Sequence, residues 1–281
     1  MRRGVLLLAI AAVVATWAGS RQQQRALAAE TARLLGAATA IADTESVDLT
    51  RAELPAPVAR YLRLAVPYPR TIDEVRIRQS GTLRSNTETE RWMAFDSEHL
   101  VVPPATGFLW NARVQIAPLL HVRVRDALIE GSGSGRVALL SAFTVRAADG
   151  GLEMNAGSLH RYLAEAVWYP TALFPGPNLR WTDVSATAAL ATLTHRGVSV
   201  SLEFRFDDSG LVSGIYTPAR WGTFPGGFRQ APWQGHFSDY RERQGMLVPT
   251  HGEVGWYIDD QWRTVWKGTI SAYDARHRSP S

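Results

Sequence analysis

The feature that most constrains this chain is apolar/polar alternation in short runs separated by turn residues. Val198, Val200, Leu202, Phe204 and Phe206 alternate with Ser199, Ser201, Glu203 and Arg205, and Asp207-Asp208-Ser209-Gly210 follows. A period of two puts one set of side chains on each face of a strand, so this segment is predicted to be a strand with one wet face, closed by a hairpin turn. Val75 and Ile77 against Arg76 and Arg78, and Val122 and Val124 against Arg123 and Arg125, repeat the pattern. Further strands are expected over 189–194 and 211–216 and around 254–257 and 262–270. Nothing repeats at a fixed period and the composition does not break between 71 and 273, which predicts one antiparallel domain over 49–273 and a disordered tail over 274–281. The fold class is α+β, mainly β, and ten tryptophans with 23 glycines point to a curved, aromatic-rich sheet.

Helices interrupt this pattern in three places. Gln22–Ala42 is built of Ala, Leu, Gln, Glu and Arg and predicts a juxtamembrane helix, followed by a polar linker at 43–48. Leu54-Pro55-Ala56-Pro57-Val58 opens a second helix with Val58, Tyr61, Leu62 and Ala65 as its stripe. Ser158 is a candidate N-cap for a central helix that Pro170 ends.

Before these, the stretch Gly4–Ser20 carries no charge, and Arg2 and Arg3 precede it. Its length is at the lower limit for spanning a bilayer core of roughly 30 Å at about 1.5 Å per residue. A single-pass anchor in the cytoplasmic membrane is expected over 1–20, with the domain on the outer side, because N-terminal arginines favour an inside terminus. The alternative is a cleaved signal that leaves a secreted or periplasmic protein. Residues 1–70 hold nine arginines against five acidic residues, the whole of the formal net charge of +4. The remaining body is neutral in bulk, which argues against a nucleic-acid partner, whose phosphates need a local cationic surplus.

At 100° per residue, Arg161, Glu165 and Trp168 fall on one side of the central helix, opposite Leu159, Tyr162, Leu163, Ala166 and Val167. A paired carboxylate and guanidinium beside a tryptophan suits a cleft. With Trp110, Trp181, Trp233, Asp239 and Tyr240 these make the candidate ligand-binding set. No nucleophile, metal or cofactor arrangement is legible: cysteine is absent, the seven histidines lack ligand spacing, and Gly131-Ser132-Gly133-Ser134-Gly135 lacks the Lys-Ser/Thr ending of a phosphate loop. The glycines are expected to mark a bend in a curved strand. A hydrolase-like enzyme using Glu165, His236 or Asp239 and a structural partner of an envelope complex are the alternatives to a binding module.

Leu54-Pro55-Ala56-Pro57-Val58-Ala59-Arg60-Tyr61-Leu62, the run from Arg161 to Leu173 and the run from Pro232 to Arg241 resemble the signature stretches of a bacterial domain-of-unknown-function family, over roughly residues 50–273. The resemblance carries no activity. It implies an architecture similar to the open β half-barrel of periplasmic lipoprotein carriers, with a curved antiparallel sheet cradling acyl chains beneath helices. On that reading the ligand is a lipid, a lipoprotein or another amphiphile.

Overall fold

The computed structural model describes residues 2–39, 53–68 and 71–277, without the side chains of residues 2–12 and Thr39. The expected linker at 43–48 lies outside the described residues. Helix α1 (Arg2–Thr39) and helix α2 (Ala56–Ala65) precede strands β1 (Ile72–Leu83), β2 (Met93–Val102), β3 (Gly107–Ala117), β4 (Leu120–Ile129), β5 (Ser132–Leu139) and β6 (Phe143–Asp149). Helix α3 (Leu152–Glu165) follows. The chain closes with β7 (Leu179–Ser185), β8 (Ala188–His195), β9 (Val198–Phe206), β10 (Val212–Phe224), β11 (Gly227–Arg243), β12 (Met246–Ile258) and β13 (Gln261–His277).

Among the described residues thirteen strands form one sheet, in the order β6-β5-β4-β3-β2-β1-β13-β12-β11-β10-β9-β8-β7. Two meanders are joined where β1 pairs antiparallel with β13, so the chain's first and last strands lie at the centre. Helix α3 connects the two outer edges and packs against β4 and β5 on one side and β8, β9 and β10 on the other. Strands so far apart in a sheet can meet one helix only if the sheet is curled into a trough. The trough face carries the main core, from Val75, Ile77 and Phe108 to Leu202, Phe204 and Val248. The stripe predicted for α2, Val58, Tyr61, Leu62 and Ala65, is buried.

Sequence reasoning places the start of α3 too late. The helix begins at Leu152, because Gly150 and Gly151 at φ of 70° and 86° end β6 and no breaker follows them. Gly157-Ser158 has the composition of a helix start, yet Gly157 is small for another reason: a Cβ there would lie 2.8 Å from the Trp221 carbonyl oxygen, where α3 crosses β10. The glycine run also has a specific function. At Gly133 a Cβ would stand 2.6 Å from both the Met154 carbonyl oxygen and Ser158 Oγ, while Gly133 N–H donates to Asn155 Oδ1 at 2.8 Å. At Gly135 the nearest atom would be at 3.5 Å, an ordinary contact. Gly133→Ala is therefore expected to cost about 1–3 kcal/mol by lifting α3 off β5, and Gly135→Ala less than about 1 kcal/mol, as read by urea unfolding.

On the convex face, α1 runs unbroken through the expected juxtamembrane segment because Ala, Gln, Glu and Arg all favour helix. Its second half docks on the sheet: Leu34 is fully buried among Leu100, Val102, Leu109, Ala127 and Ile129. Glu30 Oε2 pairs with Arg125 Nε at 3.0 Å. No helix among the described residues is long and apolar enough to cross a membrane. Strand β13 extends through His277, paired with β1, so residues 274–277 of the expected tail are strand.

Candidate functional site

Alternation along the strands sends Trp110 and Val114 of β3, Val122, Val124 and Asp126 of β4, and Trp233 and Phe237 of β11 into the trough, and the register shift of β13 between Thr264 and Trp266 lets the consecutive Val265 and Trp266 both line it. They enclose an apolar cavity of about 470 Å³ beneath Arg161, Ala164 and Glu165 of α3. Trp168 stands in the 3-10 turn Ala166–Trp168 that continues α3, and its ring packs at 6.2 Å from both Phe237 and Trp266. An apolar chamber of this size with a few polar groups at one end has the form of a small-molecule site.

The polar end is a largely buried charge cluster. Arg161 Nε donates to Glu165 Oε1 at 2.8 Å, one turn along the helix, and Arg161 Nη1 donates to Asp126 Oδ2 at 2.9 Å across to β4. The guanidinium also lies 4.9 Å over the Trp110 ring. Arg220 sits 4.4 Å over Trp233 and donates to the Gly157 carbonyl at 3.0 Å. Desolvation, opposed by Arg161, raises the carboxyls of both Glu165 and Asp126 above the ordinary carboxylate range. Burial, then the charge of Arg161, lowers Arg220 to about 10, which leaves it protonated at neutral pH. His99 Nε2 lies 3.3 Å from Glu165 Oε2, out of line for a hydrogen bond. Burial first, then Arg161, holds that imidazole well below its ordinary range, so it is neutral. A second, more polar cavity of about 370 Å³ shares Asp126, Arg161, Arg220 and Trp256 with the apolar one. The cluster thus stands between a greasy chamber and one of mixed lining.

Of the residues picked from the sequence, Arg161, Glu165, Trp168, Trp110 and Trp233 come together on this cavity. The other three do not. Trp181 packs edge-on against Phe204 and donates to the Leu173 carbonyl at 3.0 Å, inside the core. Tyr240 OH donates to the Val212 carbonyl at 2.7 Å, and Asp239 is exposed at φ of 55°, its carbonyl accepting from Thr250 Oγ1. The alternative catalytic set does not converge: alternation along β11 turns Trp233 and Phe237 inward and His236 outward, against Trp262 and Gln234. Glu165 and His236 lie on opposite faces of the sheet.

Sequence reasoning missed Asp126 and Arg220, and the candidate set left out Trp266. Asp126 had a signal, since it breaks the apolar face Val122, Val124, Leu128 of β4. Arg220 had none, because it reaches the cluster through the register shift of β10 between Thr217 and Arg220.

The model of a "Family of unknown function (DUF6920)" matches residues 52–274. The chain belongs to this family. No curated protein matches the sequence. Among solved structures, a LolA superfamily protein from Nitrosomonas europaea aligns over 82% of this chain and 96% of its own, at 11% identity and a TM-score of 0.40. A DUF1329 family protein from Desulfovibrio piger aligns over 73% of this chain and 86% of its own, at 9% identity and a TM-score of 0.43. At these values the likeness is one of arrangement, and no ligand passes from these proteins to this family member.

Proposed function

We propose that this family member is a membrane-tethered, extracytoplasmic binding module for an amphiphile, a lipid or the acyl chain of a lipoprotein. The observation that carries the reading is the junction of two chambers at one charge cluster: the apolar cavity accepts hydrocarbon, and the more polar cavity beyond Asp126, Arg161 and Arg220 accepts a headgroup. Burying hydrocarbon there is worth roughly 25 cal/mol per Å² of apolar surface removed from water. The two-arginine, two-carboxylate cluster orients the polar end without a large net charge of its own. The tether is the uncharged stretch Gly4–Ser20, and the exposed Val13, Val14 and Trp17 of α1 suit a lipid environment.

Brominated acyl chains test this directly, because bromine quenches indole fluorescence on contact. Full-length protein titrated with a lysophospholipid brominated near the chain terminus should lose much of its tryptophan emission, since Trp110, Trp168, Trp233, Trp256 and Trp266 line the chamber. Quenching equal to that given by a water-soluble brominated headgroup analogue would contradict the proposal.

A further inference from the structure

We propose that the groove between α1 and the convex face of the sheet, around Arg113 and Arg123, binds the phosphate of a phospholipid headgroup at the membrane surface. This second site rests on the reading that the N-terminal end of α1 meets a membrane, and it is independent of the concave cavity.

The groove has a volume of about 660 Å³ between Ser20, Gln23 and Gln24 of α1 and strands β1 to β5. Arg113 and Arg123 are direct cross-strand partners of β3 and β4. Like charges in that relation repel. The neighbouring arginines are paired, Arg125 with Glu30 at 3.0 Å and Arg136 with Asp149 at 3.5 Å, whereas Arg113 and Arg123 have no carboxylate within ion-pair distance among the described residues. Asp96 occupies the rung on the far side of Arg113 without reaching it. The closest polar partners of the two guanidiniums are neutral in kind: His121 Nδ1 at 3.4 Å from Arg113, and Ser141 Oγ at 3.5 Å from Arg123. Burial and the charge of Arg113 lower the Arg123 pKa while Glu98 raises it, and burial, then Arg113 and Arg123, depresses His121, so the positive field of the pair is only partly compensated. A phosphate bridging two guanidinium forks turns this repulsion into charge-assisted hydrogen bonds.

Position selects the phospholipid as the source. Gly19 of α1 touches Ala142 in the turn after β5, and the helix then projects past that end of the sheet with Trp17 61% exposed. The β3–β4 turn reaches the same end and carries Leu119, 97% exposed. Arg113 lies four residues from Ala117 along β3, one short step behind this apolar rim. A bilayer that takes up the rim presents its phosphates at that depth, and anionic lipids add attraction.

The test uses the full chain incorporated into vesicles of phosphatidylcholine alone, or of phosphatidylcholine mixed with phosphatidylglycerol, with thermal unfolding followed by tryptophan emission. Phosphatidylglycerol should raise the Tm by about 2–4 °C, and the Arg113→Gln/Arg123→Gln double variant should lose that rise. Folding of the variant is not at risk, since removing the opposed charges relieves repulsion. A rise retained by the double variant, or reproduced by inorganic phosphate without phosphatidylglycerol, overturns the headgroup assignment, as does its absence in the unmodified chain. Co-sedimentation with phosphatidylcholine vesicles reads the tether separately: its failure counts against anchoring, while a phosphatidylglycerol-dependent rise lost in the double variant still supports the groove.

Discussion

Arg161→Leu is expected to lower stability by about 3 kcal/mol at neutral pH, near the lower end of the cost of breaking a buried ion pair. Glu165, only 14% exposed at its side chain, loses the cation that compensates its burial, and Asp126, 38% exposed at the mouth, loses its partner but keeps some water. Leucine retains apolar packing over Trp110, so the loss reads out charge more than shape. The pH dependence fixes the cause. Both carboxyls already have folded-state pKa values above their ordinary ones through desolvation. A carboxyl of that kind favours folding below its unfolded pKa, and that contribution is lost as the pH rises through the folded value. Removing Arg161 raises both folded values further. The deficit of the variant, measured by urea unfolding, should therefore be largest near pH 7 and shrink as the pH falls toward about 4, where the carboxyls are protonated. A deficit equal at both pH values would assign the loss to the cation–π contact with Trp110 instead.

The largest expected effect on binding comes from filling the apolar chamber. Val124 of β4 lines it, and Val124→Trp directs an indole into existing void. Affinity for an acyl amphiphile should fall by at least about 100-fold, while unfolding stability changes by less than about 1.5 kcal/mol, because no close-packed neighbour has to move. Intrinsic-fluorescence titration and urea unfolding of the same preparation separate the two effects. A variant that binds as tightly as the unmodified chain would move the ligand out of this chamber.

The strands were legible because alternation reports directly on a half-buried surface: Val198 to Phe206 and its Asp207–Gly210 turn stand where the period of two puts them. The joining of β1 to β13 was not legible, since no local pattern near Ile77 names Tyr273 as its partner. The helical spacing of Arg161, Glu165 and Trp168 indicated a shared face, but their acidic and basic partners arrive from β4 and β10 through the curl of the sheet. Trp181 and Tyr240 belong to the same aromatic excess as Trp110 and Trp233, and composition could not separate a tryptophan that packs on Phe204 from one that faces a chamber. Likewise, bulk charge concealed the convex groove: the body beyond residue 70 is neutral in sum, yet pairing of β3 with β4 sets Arg113 against Arg123.

The central claim, that the concave chamber holds the apolar part of an amphiphile, is tested most directly by native mass spectrometry of the full-length protein released from membranes in a mild detergent. The unmodified chain should carry an acyl-containing adduct that survives at collision energies sufficient to strip detergent, and Val124→Trp from the same membranes should be bare. Adducts of equal abundance on both proteins, or none on either after incubation with a lipid extract, would contradict it.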